Sequence, residues 1–140
     1  MPPPDPDLFD DSRWPLLQVR LPGTLSTAAY EACLATLSRY FERGERFVII
    51  SDLRRVGMVP LDQRWRQVEW FEEYDQQVRD YVIGVAHIIT SPLVRLSVSA
   101  IMYFKRVPLP LVIVADWNSA EAWALERLED DRRIHADKPR

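Results

Sequence analysis

The sequence predicts an α/β domain with a four- to five-stranded, mostly parallel sheet flanked by about four helices. Residues 47–50 (Phe-Val-Ile-Ile) form a continuous apolar run, which is typical of a strand buried on both faces. Strand-like and helix-like patterns alternate along the chain with short connections, as in parallel sheets whose crossovers are helices. At 140 residues the chain is long enough for one such domain.

The first helix has recognisable start and stop signals. Residues 14–21 are mostly apolar and predict the strand before it. Ser26 or Thr27 can cap a helix over residues 27–43, where apolar side chains recur at helical spacing. Gly44 is the expected stop, because glycine readily adopts the left-handed conformation that ends many helices.

A second helix is predicted between the strand at residues 47–50 and the next strand. Asp62 is its expected cap, and apolar and aromatic side chains mark one helical face as far as Tyr81. Residues 81–89 are apolar almost throughout, which again indicates a strand covered on both faces.

The last third of the chain continues the alternation. Pro92 stands at an early helical position, and residues 93–106 predict a well-buried third helix that the following prolines end. Leu111–Val114 is the last predicted strand. Ser119 is the expected cap of a final helix that extends to about Arg132.

Composition sets the domain boundaries and the expected location. Residues 1–13 are rich in Pro and Asp and predict a disordered lead, residues 14–133 a single domain, and residues 134–140 a polar tail. The first residues lack the basic and apolar regions of a signal peptide, so we expect a cytoplasmic protein. Charged residues and prolines interrupt residues 93–115, which argues against an integral membrane segment.

Charge and residue counts exclude several classes of function. The net charge of -3 disfavours bulk attraction to nucleic acid. One cysteine excludes an internal disulfide framework, and with two histidines there is little from which to build a metal site. The chain has no Gly-rich phosphate loop and no hydrolase or zinc-protease motif. We therefore expect no cofactor and no enzymatic activity.

Several short motifs accompany this order of elements. They are Leu-Pro-Gly at residues 21–23, Phe-Val-Ile-Ile-Ser-Asp-Leu-Arg at 47–54, Ser-Pro-Leu-Val-Arg at 91–95, Pro-Leu-Pro at 108–110 and Ala-Glu-Ala-Trp at 120–123. Together they resemble the SpoIIAA-like, or STAS-like, domains, and in particular the bacterial STAS/SEC14-domain branch, over residues 14–128. The resemblance implies a non-enzymatic signalling and docking module. It also implies an alternative, because some related folds hold apolar or nucleotide ligands.

The position of Ser51 departs from the family's phosphorylation motif. STAS anti-sigma antagonists carry a phosphorylatable serine in an Asp-Ser-Ser-Gly-like loop after the central strand. Here Ser51 precedes Asp52 and is expected to lie within the strand. The mismatch disfavours a kinase switch at this serine.

Charged and polar side chains gather where two predicted strands end. This predicted patch consists of Asp52, Arg54, Arg55, Arg64, Ser91 and Arg95. Parallel strands bring their carboxyl ends to one sheet edge, and cations near helix amino termini suggest a compensating anion. One interpretation is a site for a phosphate, a carboxylate ligand or an acidic partner surface. The other is an internal ion pair between Asp52 and an arginine.

The aromatic residues of the second helix are a candidate interface. Trp65 and Trp70 cannot share one narrow stripe at 100° per residue, so one large ring is expected to point away from the sheet. With Tyr74 they predict a partner surface or a homodimer interface, since aromatic residues are enriched at interfaces. The alternative is a wide buried face with one tryptophan covered by a loop.

The remaining reactive side chains indicate structural roles. His87 lies within an apolar strand and is expected to be a core histidine with satisfied hydrogen bonds, and Cys33 a small buried residue with an inert thiol. The sequence therefore predicts a homodimeric, non-catalytic module that docks to a protein partner. The alternative is a carrier or sensor of a small anionic, apolar or lipid-like ligand. We expect that ligand at the carboxyl edge of the sheet, under the third helix and beside four charged residues, Asp52, Arg54, Arg64 and Arg95. An apolar pocket with a few convergent polar groups would favour this alternative.

Overall fold

The computed structural model describes residues 8–104 and 109–136. Its strands are β1 (Phe9–Arg13), β2 (Leu16–Arg20), β3 (Phe47–Asp52), β4 (Val82–Ile88) and β5 (Leu111–Val114). Its helices are α1 (Thr27–Tyr40), α2 (Leu61–Glu73), α3 (Asp75–Tyr81), α4 (Pro92–Phe104) and α5 (Trp117–Ala136), and a 3-10 turn (Phe41–Arg43) follows α1. The strands form one sheet in the order β1-β2-β3-β4-β5, in which only the β1–β2 pair is antiparallel. The predicted α/β class with a mostly parallel sheet is confirmed.

Strand β1 lies inside the segment that was predicted to be a disordered lead. It pairs with β2 at the sheet edge, and Phe9 stacks on Tyr40 with ring centroids 6.0 Å apart. The guanidinium of Arg43 also pairs with the carboxylate of Asp11 at 2.5 Å. The prediction for residues 8–13 is therefore wrong, because an edge strand needs few apolar residues when its ladder partner supplies the contacts. Residues 1–7 lie outside the described part of the chain.

One face of the sheet packs against α5. Ala120, Ala124 and Leu128 of this helix meet Val48 and Ile50 of β3 in a fully buried cluster. Small alanine side chains let the helix approach the sheet closely.

Gly84 of β4 shows how close that approach is. A Cβ atom added at Gly84 would lie 2.8 Å from the Trp123 ring and 3.1 Å from the carbonyl oxygen of Pro110. Glycine is therefore required here for space rather than for backbone conformation.

The opposite face is covered by the remaining helices. Leu34 of α1, Trp70 of α2 and Val78 of α3 pack with Phe47 and Ile49 of β3 in a second buried cluster. Helix α4 closes the carboxyl end of this layer, where Val94 and Val98 meet the loop after β3. The sheet thus has one helix on one face and four on the other.

Two of the predicted helix ends are confirmed. The Ser26 hydroxyl oxygen accepts a hydrogen bond from the backbone N–H of Ala29, so Ser26 caps α1. Gly44 takes the left-handed conformation with φ 66° and ends the 3-10 turn that follows this helix.

Three other helix boundaries differ from the prediction. Helix α2 starts at Leu61 after Pro60, so Asp62 lies in its first turn and does not cap it. The predicted long helix is interrupted at Tyr74, which has non-helical φ and ψ angles and separates α2 from α3. Before α5, the carboxylate of Asp116 accepts hydrogen bonds from the Ser119 backbone N–H and hydroxyl. Asp116 is therefore the cap that was assigned to Ser119.

Helix α5 also continues to Ala136, beyond the predicted end near Arg132 and into the predicted polar tail. The prolines expected to end α4 lie partly outside the described residues, since Pro108 is not among them. Across the described ranges, no helix is long and apolar enough to cross a membrane.

Candidate functional site

Asp52 and Arg54 of the predicted patch bind each other. The Arg54 guanidinium donates hydrogen bonds of 3.0 and 2.8 Å to the two carboxylate oxygens of Asp52, and the Arg54 backbone N–H donates a third. The side-chain hydrogen bond from Arg54 lowers the pKa of Asp52 below its usual value. This geometry supports the interpretation of an internal ion pair.

The nearest charged neighbours of this pair are residues that sequence reasoning missed. Arg20, at the end of β2, is in register with Asp52, and Asp116 acts electrostatically on Arg54. Arg20 also lies over the Trp117 ring, 5.8 Å from its centroid. Their positions in the sequence could have identified them, because Arg20 and Asp116 also stand where strands end.

The other members of the predicted patch are not joined to Asp52 by an ion pair or hydrogen bond within the described ranges. Arg55 and Arg95 are exposed, and the Ser91 hydroxyl oxygen accepts from the backbone N–H of Val94 at the start of α4. Arg64 is half-buried beside a small hollow between α2 and α4, and its Nε has no hydrogen-bond partner in the described part of the chain. The patch is therefore one ion pair with scattered cations around it.

The three predicted interface aromatics occupy different environments. Trp70 is 3% exposed and Tyr74 is half-buried, and their rings pack 5.2 Å apart, centroid to centroid, beside Phe41. Trp70 belongs to the buried core and Tyr74 packs against it, so Trp70 offers a partner almost no accessible surface and Tyr74 only part of its ring. Trp65 is 48% exposed on the outer face of α2.

An apolar cavity of about 190 Å³ lies between the sheet and the layer of helices α1, α2 and α4. Its walls are mostly aliphatic and aromatic side chains from these helices and from β2, β3, β4 and β5. Its polar lining residues are Thr24, Tyr30, Ser51, Gln63, Gln67 and His87, together with Cys33 and the indole of Trp70. No Asp, Glu, Lys or Arg from the described part of the chain lines it.

Four of the polar groups are already engaged with the protein, and one of them is Thr24, whose hydroxyl donates to the backbone carbonyl of Met58 at 2.9 Å. The Tyr30 hydroxyl donates to Oε1 of Gln67 at 2.6 Å, and Nε2 of Gln63 donates to the backbone carbonyl of Leu25 at 2.6 Å. Burial raises the pKa of Tyr30, so its hydroxyl stays protonated as a donor. These bonds hold α1, α2 and the loop before α1 together around the cavity.

His87 faces the cavity from β4, directly beside Ser51 of β3 in the parallel register. Its Nδ1 has no hydrogen-bond partner among the described residues. The expectation of a core histidine with satisfied hydrogen bonds is therefore not met at Nδ1, and the side chain is half-buried on the cavity wall. Burial lowers the pKa of His87 to about 4, so the imidazole is neutral near pH 7.

Cys33 and Trp70 complete the unusual side chains of the lining. Burial raises the pKa of the Cys33 thiol to about 11, in agreement with the predicted inert thiol. The indole Nε1 of Trp70 has no partner within the described ranges and sits among aromatic rings.

The sequence signal for this cavity is the alternation of side chains along β3, which sends every second residue to the same face of the sheet. On β3, Phe47, Ile49 and Ser51 point to the cavity side, while Asp52 points to the α5 side. Ser51 lies within the strand, as expected. The charged pair and the cavity are therefore on opposite faces of the sheet.

Comparison with solved structures identifies the fold. The chain is similar to the crystal structure of an uncharacterized protein from the DUF3478 family with a SpoIIAA-like fold, from Shewanella loihica PV-4. The TM-score is 0.60 at 17% sequence identity, over 78% of this chain and 83% of that one. No protein-family model and no curated protein matches the chain. The SpoIIAA-like fold expected from the sequence motifs is thereby confirmed.

Proposed function

We propose that this chain is a non-catalytic module that binds a small, uncharged, mainly apolar ligand in the cavity between the sheet and α1, α2 and α4. The cavity is the observation that carries the proposal. It has the form of known small-molecule sites, in which apolar walls surround a few polar groups. The carrier or sensor that the sequence left as an alternative is thus the function that the geometry supports best.

The volume of the cavity limits the size of the ligand. An engineered apolar cavity of about 150 Å³ accepts benzene. By proportion, the cavity of about 190 Å³ here suits a ligand, or a ligand portion, of about eight non-hydrogen atoms. Apolar surface removed from water supplies about 25 cal/mol per Å², which is sufficient for weak to moderate affinity from such a small group.

The lining selects against charged ligands. Burying an unpaired ion is strongly unfavourable, and no charged side chain in the described lining could compensate for it. The Asp52–Arg54 pair lies on the other face of the sheet, and its two side chains bind each other. We therefore place the ligand in the cavity and not at the predicted anion patch.

The arrangement of Ser51 and His87 supports binding more than hydrolysis. A serine nucleophile needs a base that is itself oriented by a third group, often a carboxylate. The described lining has no carboxylate, and a histidine with a pKa of about 4 is a weak base.

The experiment that tests this function is a calorimetric titration with toluene as a neutral probe. We expect saturable binding to the wild-type protein and its loss in Val85→Phe, because Val85 faces the cavity from β4. The matched control is Val112→Phe, in which the same enlargement is made on the α5 side of the sheet. Absence of saturable binding to wild type, or equal loss in both variants, would contradict the proposal.

A second candidate is the protein-docking module predicted from the sequence, with a second copy of the chain as the partner. It is favoured by the exposed apolar side chains of neighbouring helices, namely Leu61 and Trp65 of α2 and Leu93 and Leu96 of α4. Leu61 and Trp65 border the hollow that Ala100 of α4 also lines, so the two helices share this outer face. This second proposal includes a signalling role and a cytoplasmic location for the docking module.

Sedimentation equilibrium tests this second candidate. We expect Leu96→Asp to convert a dimer into a monomer, since Leu96 is 68% exposed on α4. Leu125→Asp, at an exposed leucine of α5, is the matched control and should leave the dimer intact. A wild-type protein that is monomeric at all concentrations would exclude the homodimer.

A further inference from the structure

The cavity changes in polarity along the direction of the strands. At the amino ends of β3 and β4, Phe41, Val78 and Val82 line the cavity with apolar side chains, and Phe47 packs against them. One residue before the carboxyl end of β4, His87 lies beside Ser51 of β3. Neighbouring strands are about 4.8 Å apart, so these two side chains form one polar pair on the wall.

Three other polar lining residues, Tyr30, Gln63 and Gln67, lie near the same end. Gln63 is in the first turn of α2, and its amide binds the loop before α1. Gln67 follows one helical turn later and accepts from Tyr30. At the opposite end, the indole of Trp70 is surrounded by the rings of Phe41 and Tyr74.

The pair of Ser51 and His87 has hydrogen-bonding capacity that the fold does not use. His87 Nδ1 has no partner among the described residues, whereas buried polar groups are nearly always paired. A neutral imidazole has one donor and one acceptor nitrogen, and the serine hydroxyl can do both. A ligand hydroxyl also donates and accepts, so it can satisfy either tautomer of the ring.

We propose that the ligand is a neutral amphipathic alcohol or phenol whose hydroxyl binds the Ser51–His87 pair while its apolar part points toward Trp70. This inference rests on the proposed function, since it specifies the ligand of the same cavity. It adds a chemical class, an orientation and two recognition residues. The low pKa of His87 agrees with it, because an uncharged ring suits an uncharged partner.

The test compares two probes of nearly equal size, toluene and benzyl alcohol, by calorimetric titration. The measured quantity is the ratio of their dissociation constants, which isolates the contribution of the hydroxyl. In Ser51→Ala and in His87→Leu we expect the preference for benzyl alcohol over toluene to fall by about threefold to tenfold, the usual effect of one neutral hydrogen bond. Leu125→Ala, at an exposed leucine of α5 outside the cavity lining, should keep the wild-type ratio.

The outcomes separate the inference from the function on which it rests. If toluene binds but the ratio is unchanged in both Ser51→Ala and His87→Leu, the hydroxyl inference is overturned and the cavity function stands. An equal fall in Leu125→Ala would also overturn it. If neither probe binds the wild-type protein, both proposals fail.

Discussion

The pH dependence of stability offers a strict test of how His87 is buried. Replacing His87 with leucine removes a group whose pKa in the folded protein is about 4, against 6.5 in the absence of burial. Because the folded pKa is the lower one, the unfolded chain takes up a proton first as the pH falls. The wild-type protein should therefore lose stability as the pH falls below about 6.5, until the folded state is also protonated near pH 4.

The size of this loss follows from the two pKa values. Between about pH 7.5 and about pH 5.5, the wild-type free energy of unfolding should fall by about 1.3 kcal/mol through this one group. The carboxylates with lowered pKa values, Asp10, Asp52 and Asp116, contribute in the same direction only at lower pH, since their unfolded pKa is 3.8. The chosen interval therefore isolates the histidine.

Urea unfolding at the two pH values measures the effect. His87→Leu should show almost no change in the free energy of unfolding over this interval. His135→Gln, which removes the exposed histidine of α5, should retain most of the wild-type dependence. If His87→Leu keeps the full dependence, or if wild type shows none, the burial and neutrality of His87 are refuted.

Three further predictions concern other parts of the molecule. Toluene should slow the reaction of the single thiol, Cys33, with a small uncharged methanethiosulfonate. Without toluene the reaction rate should rise about tenfold per pH unit up to about pH 11. A rate that does not change with toluene would show that the thiol does not face the ligand. Gly84→Ala should lower the free energy of unfolding by about 1–3 kcal/mol, because its new methyl group meets the Trp123 ring, whereas Gly57→Ala has open space and should cost far less in the same urea measurement. Arg54→Ala should cost less than about 1 kcal/mol, because the pair is partly exposed, and should leave toluene affinity unchanged in calorimetry; a loss of affinity would place the ligand at the charged edge instead.

The layered fold was predictable because its main signals are local. The apolar runs at β3 and β4 indicated strands covered on both faces, and Ser26 and Gly44 marked the ends of α1. Strand β1 was missed because its sequence, Phe-Asp-Asp-Ser-Arg, has one apolar residue, and its pairing depends on β2. The cap of α5 lies three residues before the predicted one, because Asp116 and Ser119 both suit that role.

The candidate site was harder to predict because it depends on how far apart the layers sit. The sequence placed Asp52 and Arg54 at one sheet edge, but it did not show that the two side chains would bind each other. Nor did it show that α1, α2 and α4 would leave a cavity in front of Ser51 and His87. A strand pattern gives the face of each side chain, whereas an empty volume results from the packing of several helices at once.

The most direct test of the central claim is a two-dimensional amide NMR titration that compares toluene with benzoate. We expect saturable shifts with toluene at cavity-facing residues such as Ile49, Val85 and Gln67. We expect no saturable shift there with benzoate, because the described lining offers no cation. Saturable benzoate binding centred on Arg54 and Arg95, with no response of the cavity residues to toluene, would contradict the account and restore the anion site.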